Sequence, residues 1–182
     1  EIEPGAFAKS KLAEIIVSSD NPYIVTDGIA LYDISGSVLV ALAVPVASYV
    51  VAPSCVKIER KGMSSFRSLQ SISLPDGLKE IGPYAFAHTS LSEFKAPRSL
   101  QSIGERAFFD CADLSRIRLN EGLQRIGADA FSSTALSELV IPASIEELQY
   151  PLATRCGLTF SGEGATCRIE EGASKLWLDG QG

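Results

Sequence analysis

A chain of 182 residues with a single histidine, His88, has few ways to run acid–base chemistry near neutral pH, so its cysteines and carboxylate pairs carry the remaining possibilities. The cysteines, Cys55, Cys111, Cys156 and Cys167, are dispersed, and with one histidine they do not form the clustered ligand set that a metal needs. Adjacent carboxylates occur at Glu146-Glu147 and Glu170-Glu171, but neighbours on a strand point to opposite faces, which does not make a glycosidase-like pair. The stretch "SGEG" at 161–164 has no lysine after it and is too short for a phosphate loop. No cofactor site is read, and the expectation is a protein that is not an enzyme.

Charge narrows the partners further. A net charge of −6 and a pI near 4.9 come without the clustered Lys and Arg of a phosphate-binding face, so nucleic acid is not expected. The uncharged run from Ile34 to Val56 has the length of a membrane span, but Pro45, Pro53 and interspersed serines break it, so no transmembrane span is expected there.

What positions these residues is a repeat. "IGPYAF" at 81–86, "IGERAF" at 103–108 and "IGADAF" at 126–131 recur with a fixed order of Ile-Gly, Ala-Phe and a following Leu. Taking each isoleucine as position zero, weaker copies place zero positions at 2, 24, 58, 81, 103, 126 and 148, separated by 22, 34, 23, 22, 23 and 22 residues. Twelve, nine and seven residues before zero stand apolar sets such as Leu91, Phe94 and Ala96, or Leu114, Ile117 and Leu119, the alternation of a half-buried strand. Leu-x-x-Ile-Gly, three before zero onward, predicts a second short strand per repeat. Its glycines, Gly82, Gly104 and Gly127, suggest a backbone of positive φ, and Pro75, Pro97 and Pro142 close the first strand. Phe7, Met63, Phe86, Phe108 and Phe131, five after zero, predict a stacked aromatic column.

On this frame His88 falls seven after zero, in a turn position shared with Asp110, Ser133 and Arg155, which points to a surface turn. Cys55 takes a leucine position of the spine, and Cys111 and Cys156 take the position of Thr89 and Thr134, so Cys55 and Cys111 are expected to be buried free thiols. Cys156 with Cys167 is the one pairing that remains open as a disulfide. The long 34-residue spacing contains "YIVTDGIALYD", where Asp27-Gly28 between β-rich runs signals a hairpin, and "SVLVALAV" follows as a third strand. The expected organisation is a single array over residues 1–160 with a hairpin inserted at about 21–45, and an irregular β cap or tail over 161–182 in which Trp177 covers the spine. With no initiator methionine and a start in mid-repeat, the chain reads as a piece of something longer.

The combined pattern LxxIxLPxxLxxIGxxAFxx(C/T)xxL resembles that of the BspA-like leucine-rich repeat family of bacterial surface proteins, over roughly residues 2–160. "NPYIVTDGIALYD" also looks like the insert such arrays carry. Asn120 departs from the usual proline, and Met63 and Ala153 from the usual phenylalanine. The resemblance implies a leucine-rich repeat solenoid of the right-handed β/α superhelix class, made mostly of short strands and turns. It also implies bacterial cell-surface or secreted location and adhesion or recognition of a protein or glycan ligand, host-derived ligands included, without enzyme activity.

A ligand on such an array has one obvious place, the outward face of the first strand. Its residues are Ser71, Ser73, Glu93, Lys95, Arg116, Arg118 and Glu138, with Glu93, Arg116 and Glu138 alternating in sign at stacked-strand spacing. One reading is a charge ladder that fixes register; the other is a recognition surface. At the level of the whole chain the rival to a recognition module is a passive spacer within a larger surface protein.

Overall fold

The computed structural model describes residues 2, 3, 5–149, 152, 153, 159 and 160. The Cys156–Cys167 pairing, the cap over 161–182 and the Glu170-Glu171 pair lie outside the described residues. The chain is a β-solenoid, and among the described residues it contains no helix. Fourteen short strands make it up: β1 (Ile24–Thr26), β2 (Ala30–Asp33), β3 (Val38–Leu42), β4 (Ser48–Val50), β5 (Lys57–Ile58), β6 (Ser71–Ser73), β7 (Glu80–Ile81), β8 (Glu93–Lys95), β9 (Ser102–Ile103), β10 (Arg116–Arg118), β11 (Arg125–Ile126), β12 (Glu138–Leu139), β13 (Glu147–Leu148) and β14 (Thr159–Phe160).

Two ladders result because each coil contributes two strands. The zero-position strands form one sheet in the order β1-β2-β3-β5-β7-β9-β11-β13, parallel from β3 onward with Leu39, Ile58, Ile81, Ile103, Ile126 and Leu148 in register. The leading strands pair as β4 with β6, β8 with β10 and β12 with β14, all parallel. This register corrects one position of the sequence ruler. Ile24 is not the zero position that precedes Ile58; Leu39 is its stacked partner, and Ile24 lies in a hairpin strand opposite Asp33. The insertion breaks the period, so counting back by one repeat length lands on the wrong strand. The earliest copy departs too, since Leu12 is 41% exposed and residues 11–18 form no strand.

Between the two strands the coil turns without becoming helical. Lys61, Tyr84, Arg106 and Asp129, three after zero, and Ser65, His88, Asp110 and Ser133, seven after zero, all have φ between 52° and 68°. Two left-handed residues per turn stop any run of α-helical dihedrals. Their effect is to alternate the backbone donors: Ala85, Ala87 and Thr89 bond back within the turn, while Tyr84, Phe86 and His88 donate to Glu105, Ala107 and Phe109 of the next coil. Every second amide in the turn thereby ties one coil to the next.

The core is a set of columns. Phe86, Phe108 and Phe131 are fully buried and stack with ring centroids 5.2 and 5.7 Å apart at 13° and 18°, and Phe94 meets Phe108 edge-on at 4.6 Å. Met63 continues the column, fully buried. Three after each phenylalanine-column residue, Thr89 and Thr134 donate their hydroxyls to the carbonyls of Phe86 and Phe131, and the Cys111 thiol donates to the Phe86 carbonyl of the preceding coil. In these three coils a small side chain with a donor fills the position, which accounts for the Thr–Cys exchange, whereas the Met63 coil has the buried Phe66 there.

The glycines of the Ile-Gly pairs have another reason than the one their sequence suggests. Gly82, Gly104 and Gly127 do not have positive φ; a Cβ on Gly104 would stand 2.7 Å from the carbonyl carbon of Gly82, and one on Gly127 2.7 Å from that of Gly104. Successive backbones touch along this column, and only hydrogen fits. Asn120, at the usual proline position, donates its amide to the carbonyls of Arg98 and Leu100, 3.0 Å each, and so replaces a ring constraint with two bonds to the previous coil.

The hairpin is fastened to the array by an exposed carboxylate and two buried tyrosines. Asp27 accepts the amides of Ile29 and Ala30 through one carboxylate oxygen, closing the β1–β2 turn, and accepts the Tyr49 hydroxyl through the other at 2.5 Å. Tyr49 and Tyr32 share a bond of 2.6 Å, and Tyr32 accepts the Ala52 amide. Burial, with Asp27 and Tyr32 beside it, keeps the Tyr49 hydroxyl protonated far above its ordinary range.

Cys55 and Cys111 are free and completely buried, and burial pushes the Cys111 thiol up to about 11. A thiol at ~8.5 when unfolded and about 11 when folded stabilises the chain fully below pH ~8.5 and loses that contribution as pH rises toward 11. The expected result at pH 8 is that an aromatic disulfide reagent labels neither Cys55 nor Cys111 until denaturant is added; their rapid labelling in the folded chain, read by mass of the tryptic peptides, would refute this inward placement.

Candidate recognition face

The leading strands owe their outward face to the two-residue period: Leu91, Phe94 and Ala96 go inward and are buried, which leaves Glu93 and Lys95 in solvent. Ser71, Ser73, Arg116 and Arg118 are exposed for the same reason, as are Ser48, Val50 and Val140. Six of the seven sequence-predicted residues are therefore exposed on consecutive coils of one surface. The seventh, Glu138, stands in β12, the next leading strand along the array.

Register sets what meets what. Ser48 is opposite Ser71 and Val50 opposite Ser73 in the β4–β6 pair, while Glu93 is opposite Arg116 and Lys95 opposite Arg118 in the β8–β10 pair. The Arg116 guanidinium lies 3.2 Å from a Glu93 carboxylate oxygen, with side-chain exposures of 75% and 66%. So open a pair is worth under about 1 kcal/mol. It fixes register more than it stabilises.

The repeat spacing also places apolar residues on this outward face, outside the polar candidate set. Val50 is 68% exposed and Val140 56%, the two ends, among the described residues, of the column that contains Ser73, Lys95 and Arg118. Their signal was present in the ruler, as the fourth residue after each leading apolar position.

The other polar clusters have structural occupations. His88 shares a 2.8 Å hydrogen bond through Nδ1 with Asp110 of the next coil and meets the Phe109 ring edge-on at 5.6 Å. Arg106 donates to the Tyr84 hydroxyl at 2.7 Å and to one oxygen of Asp129 from Nε and a terminal nitrogen, and lies over the Tyr84 and Phe109 rings. Tyr84, Arg106 and Asp129, all left-handed turn residues, thus link three coils. A shallow depression of about 330 Å³ over the zero-position strands is walled by Glu80, Glu105, Arg125, Glu147 and Gln149. Among the described residues no cluster of His, Cys, Asp and Glu could hold a metal ion, and no helix is long and apolar enough to cross a membrane.

Comparison with known proteins gives leucine-rich repeats. The model for BspA type leucine rich repeat regions matches residues 45–159 in six copies. Among solved structures, the leucine-rich repeat protein of T. pallidum aligns at 22% identity with a TM-score of 0.56, over 81% of this chain and 64% of its own. The pneumococcal vaccine antigen PcpA aligns at 23% identity and TM-score 0.63 over 79% of this chain and 39% of its own. A leucine-rich repeat protein of Eubacterium ventriosum aligns at 19% identity and TM-score 0.51 over 95% and 60%. At such identities the likeness is one of fold, and the chain spans less than two thirds of the length of each. No curated protein matches the chain.

Proposed function

Because the chain belongs to the BspA-type leucine-rich repeat family, we propose that it is a non-enzymatic recognition module of a bacterial cell-surface or secreted protein, holding a protein or glycan on its leading-strand face. Leucine-rich repeat domains generally mediate protein interaction through surfaces extended over several repeats. The observation that carries the placement is the exposure of Val50 and Val140 on the same flat face as Glu93, Lys95, Arg116 and Arg118. Inward residues are fixed by packing and turn residues by bonds between coils, so this face is where side chains can change without cost to the fold. PcpA, of like fold, is named a pneumococcal vaccine antigen, which supports a surface reading, and a host protein or glycan is the natural partner there.

The test is an array of extracellular matrix proteins and glycans probed with the chain and with an Arg116→Glu, Arg118→Glu variant. A saturable partner that the variant loses, with a melting temperature lowered only slightly, is the expected result. Absence of any saturable ligand supports the spacer role instead. Binding retained by the folded variant moves the site, with the hairpin around Asp27-Gly28 the next place to look.

A further inference from the structure

Both partners are charged in four register pairs of the described strands: Lys57 with Glu80, Glu93 with Arg116, Arg125 with Glu147, and Lys95 with Arg118. The first three unite opposite signs. Lys95 and Arg118 place two cations side by side at stacked-strand spacing of about 4.8 Å, a destabilising arrangement in an otherwise compensating ladder. Both are exposed, and neither makes an ion pair with a carboxylate whose side chain is described. The Glu93 carboxylate beside them is engaged by Arg116 at 3.2 Å, and among the described residues no ion pair reaches Lys95 or Arg118. An arrangement that costs the free protein is relieved when a ligand supplies the missing negative charge.

Accepting the leading-strand face as the binding surface, on which this rests, we infer that its ligand is a protein segment in extended conformation, with carboxylates at its centre and aliphatic side chains at its ends. Among the described residues the column runs Val50, Ser73, Lys95, Arg118, Val140, with apolar ends and a cationic centre. Four coil steps of about 4.8 Å make a column of about 19 Å, which an extended chain rising ~3.3 Å per residue crosses in about six residues. A sulfated glycan fits less well. Its closely spaced anions would face the exposed Glu93 carboxylate beside the cation pair, and it has no aliphatic groups for Val50 and Val140.

The experiment uses an array of immobilised six-residue peptides with Glu-Asp, Ser-Ser or Lys-Lys at the centre and Val or Ser at the ends, probed with the whole chain. Retention at least tenfold higher on acidic-centre, valine-ended peptides is expected, with a Lys95→Glu, Arg118→Glu variant shifting its preference to the Lys-Lys centre. A chain that shows no preference for central charge overturns the inference, as does a preference that the double variant leaves unchanged. A heparin fragment that binds more tightly than every peptide, and loses affinity in the same variant, replaces the protein ligand by a glycan. Ser73→Trp separates the two levels of the account. Should it abolish retention that the charge variant leaves intact, the face binds but the cation pair does not read the ligand; should neither change matter, the face is not the site.

Discussion

Replacing Phe108 with alanine is expected to cost about 3–5 kcal/mol, the range for deleting a buried aromatic side chain. Phe108 is fully buried, stacked on Phe86 on one side and Phe131 on the other, with Phe94 against its edge. In a solenoid each coil contacts only its neighbours, so a loss at the middle of the column weakens two interfaces at once. Urea unfolding followed by tryptophan-independent far-ultraviolet circular dichroism is the check. A midpoint close to that of the parent chain would contradict the stacked column, and a split transition would show the array parting at this coil.

Gly127→Ala is expected to cost about 2–4 kcal/mol, as overpacking against atoms that cannot rotate away. The added Cβ would stand 2.3 Å from the Glu105 amide nitrogen and 2.7 Å from the Gly104 carbonyl carbon, both backbone. The coils must separate to admit it, which stretches the bond from the Gly127 amide to the Ile103 carbonyl, 2.8 Å in the intact chain. Gly77→Ala is the matched control, since a Cβ there meets nothing within 4 Å and alanine restricts the unfolded chain. Equal stability of the two variants would show that the glycine column is not where the coils touch.

The central coils were legible because burial repeats faithfully. Every coil must present Leu, Ile and Phe at the same three places to fill one continuous spine, so Leu91, Leu114 and Leu136 or Phe86, Phe108 and Phe131 announce themselves by spacing alone. Conformations that carry no residue signature were not legible. The left-handed positions are held by Lys61, Tyr84, Arg106, Asp129, Ser65, His88, Asp110 and Ser133, and such types do not advertise positive φ as glycine does. The glycines that are present answer to steric contact between coils, a tertiary fact that no single repeat contains. Ile24 was misplaced for a related reason: strand pairing at the hairpin, not distance along the chain, decides which residue precedes Ile58 in the ladder. Tyr32, whose hydroxyl links Tyr49 to Ala52, went unnoticed because it lies in the inserted hairpin, off the repeat and 17 residues from Tyr49.

The candidate face divides in the same way. Its exposure follows from the strand period, so Glu93, Lys95, Arg116 and Arg118 could be placed outward from sequence. The spacing already stacks Glu93 on Arg116, and the register of β8 on β10 has them opposite; the same register sets Lys95 against Arg118, so the face holds one neutralised pair and one uncompensated pair. The apolar ends, Val50 and Val140, gain meaning only once the column is seen to run between them.

The most direct test of the recognition account is hydroxyl-radical footprinting of the chain with and without a partner recovered from the matrix array. The account predicts protection concentrated on Val50, Lys95, Arg118 and Val140, with the Tyr84 and His88 turn positions unchanged. Protection confined instead to Tyr23 and Val25 of the hairpin segment, with the leading-strand face as reactive as in the free chain, would contradict it.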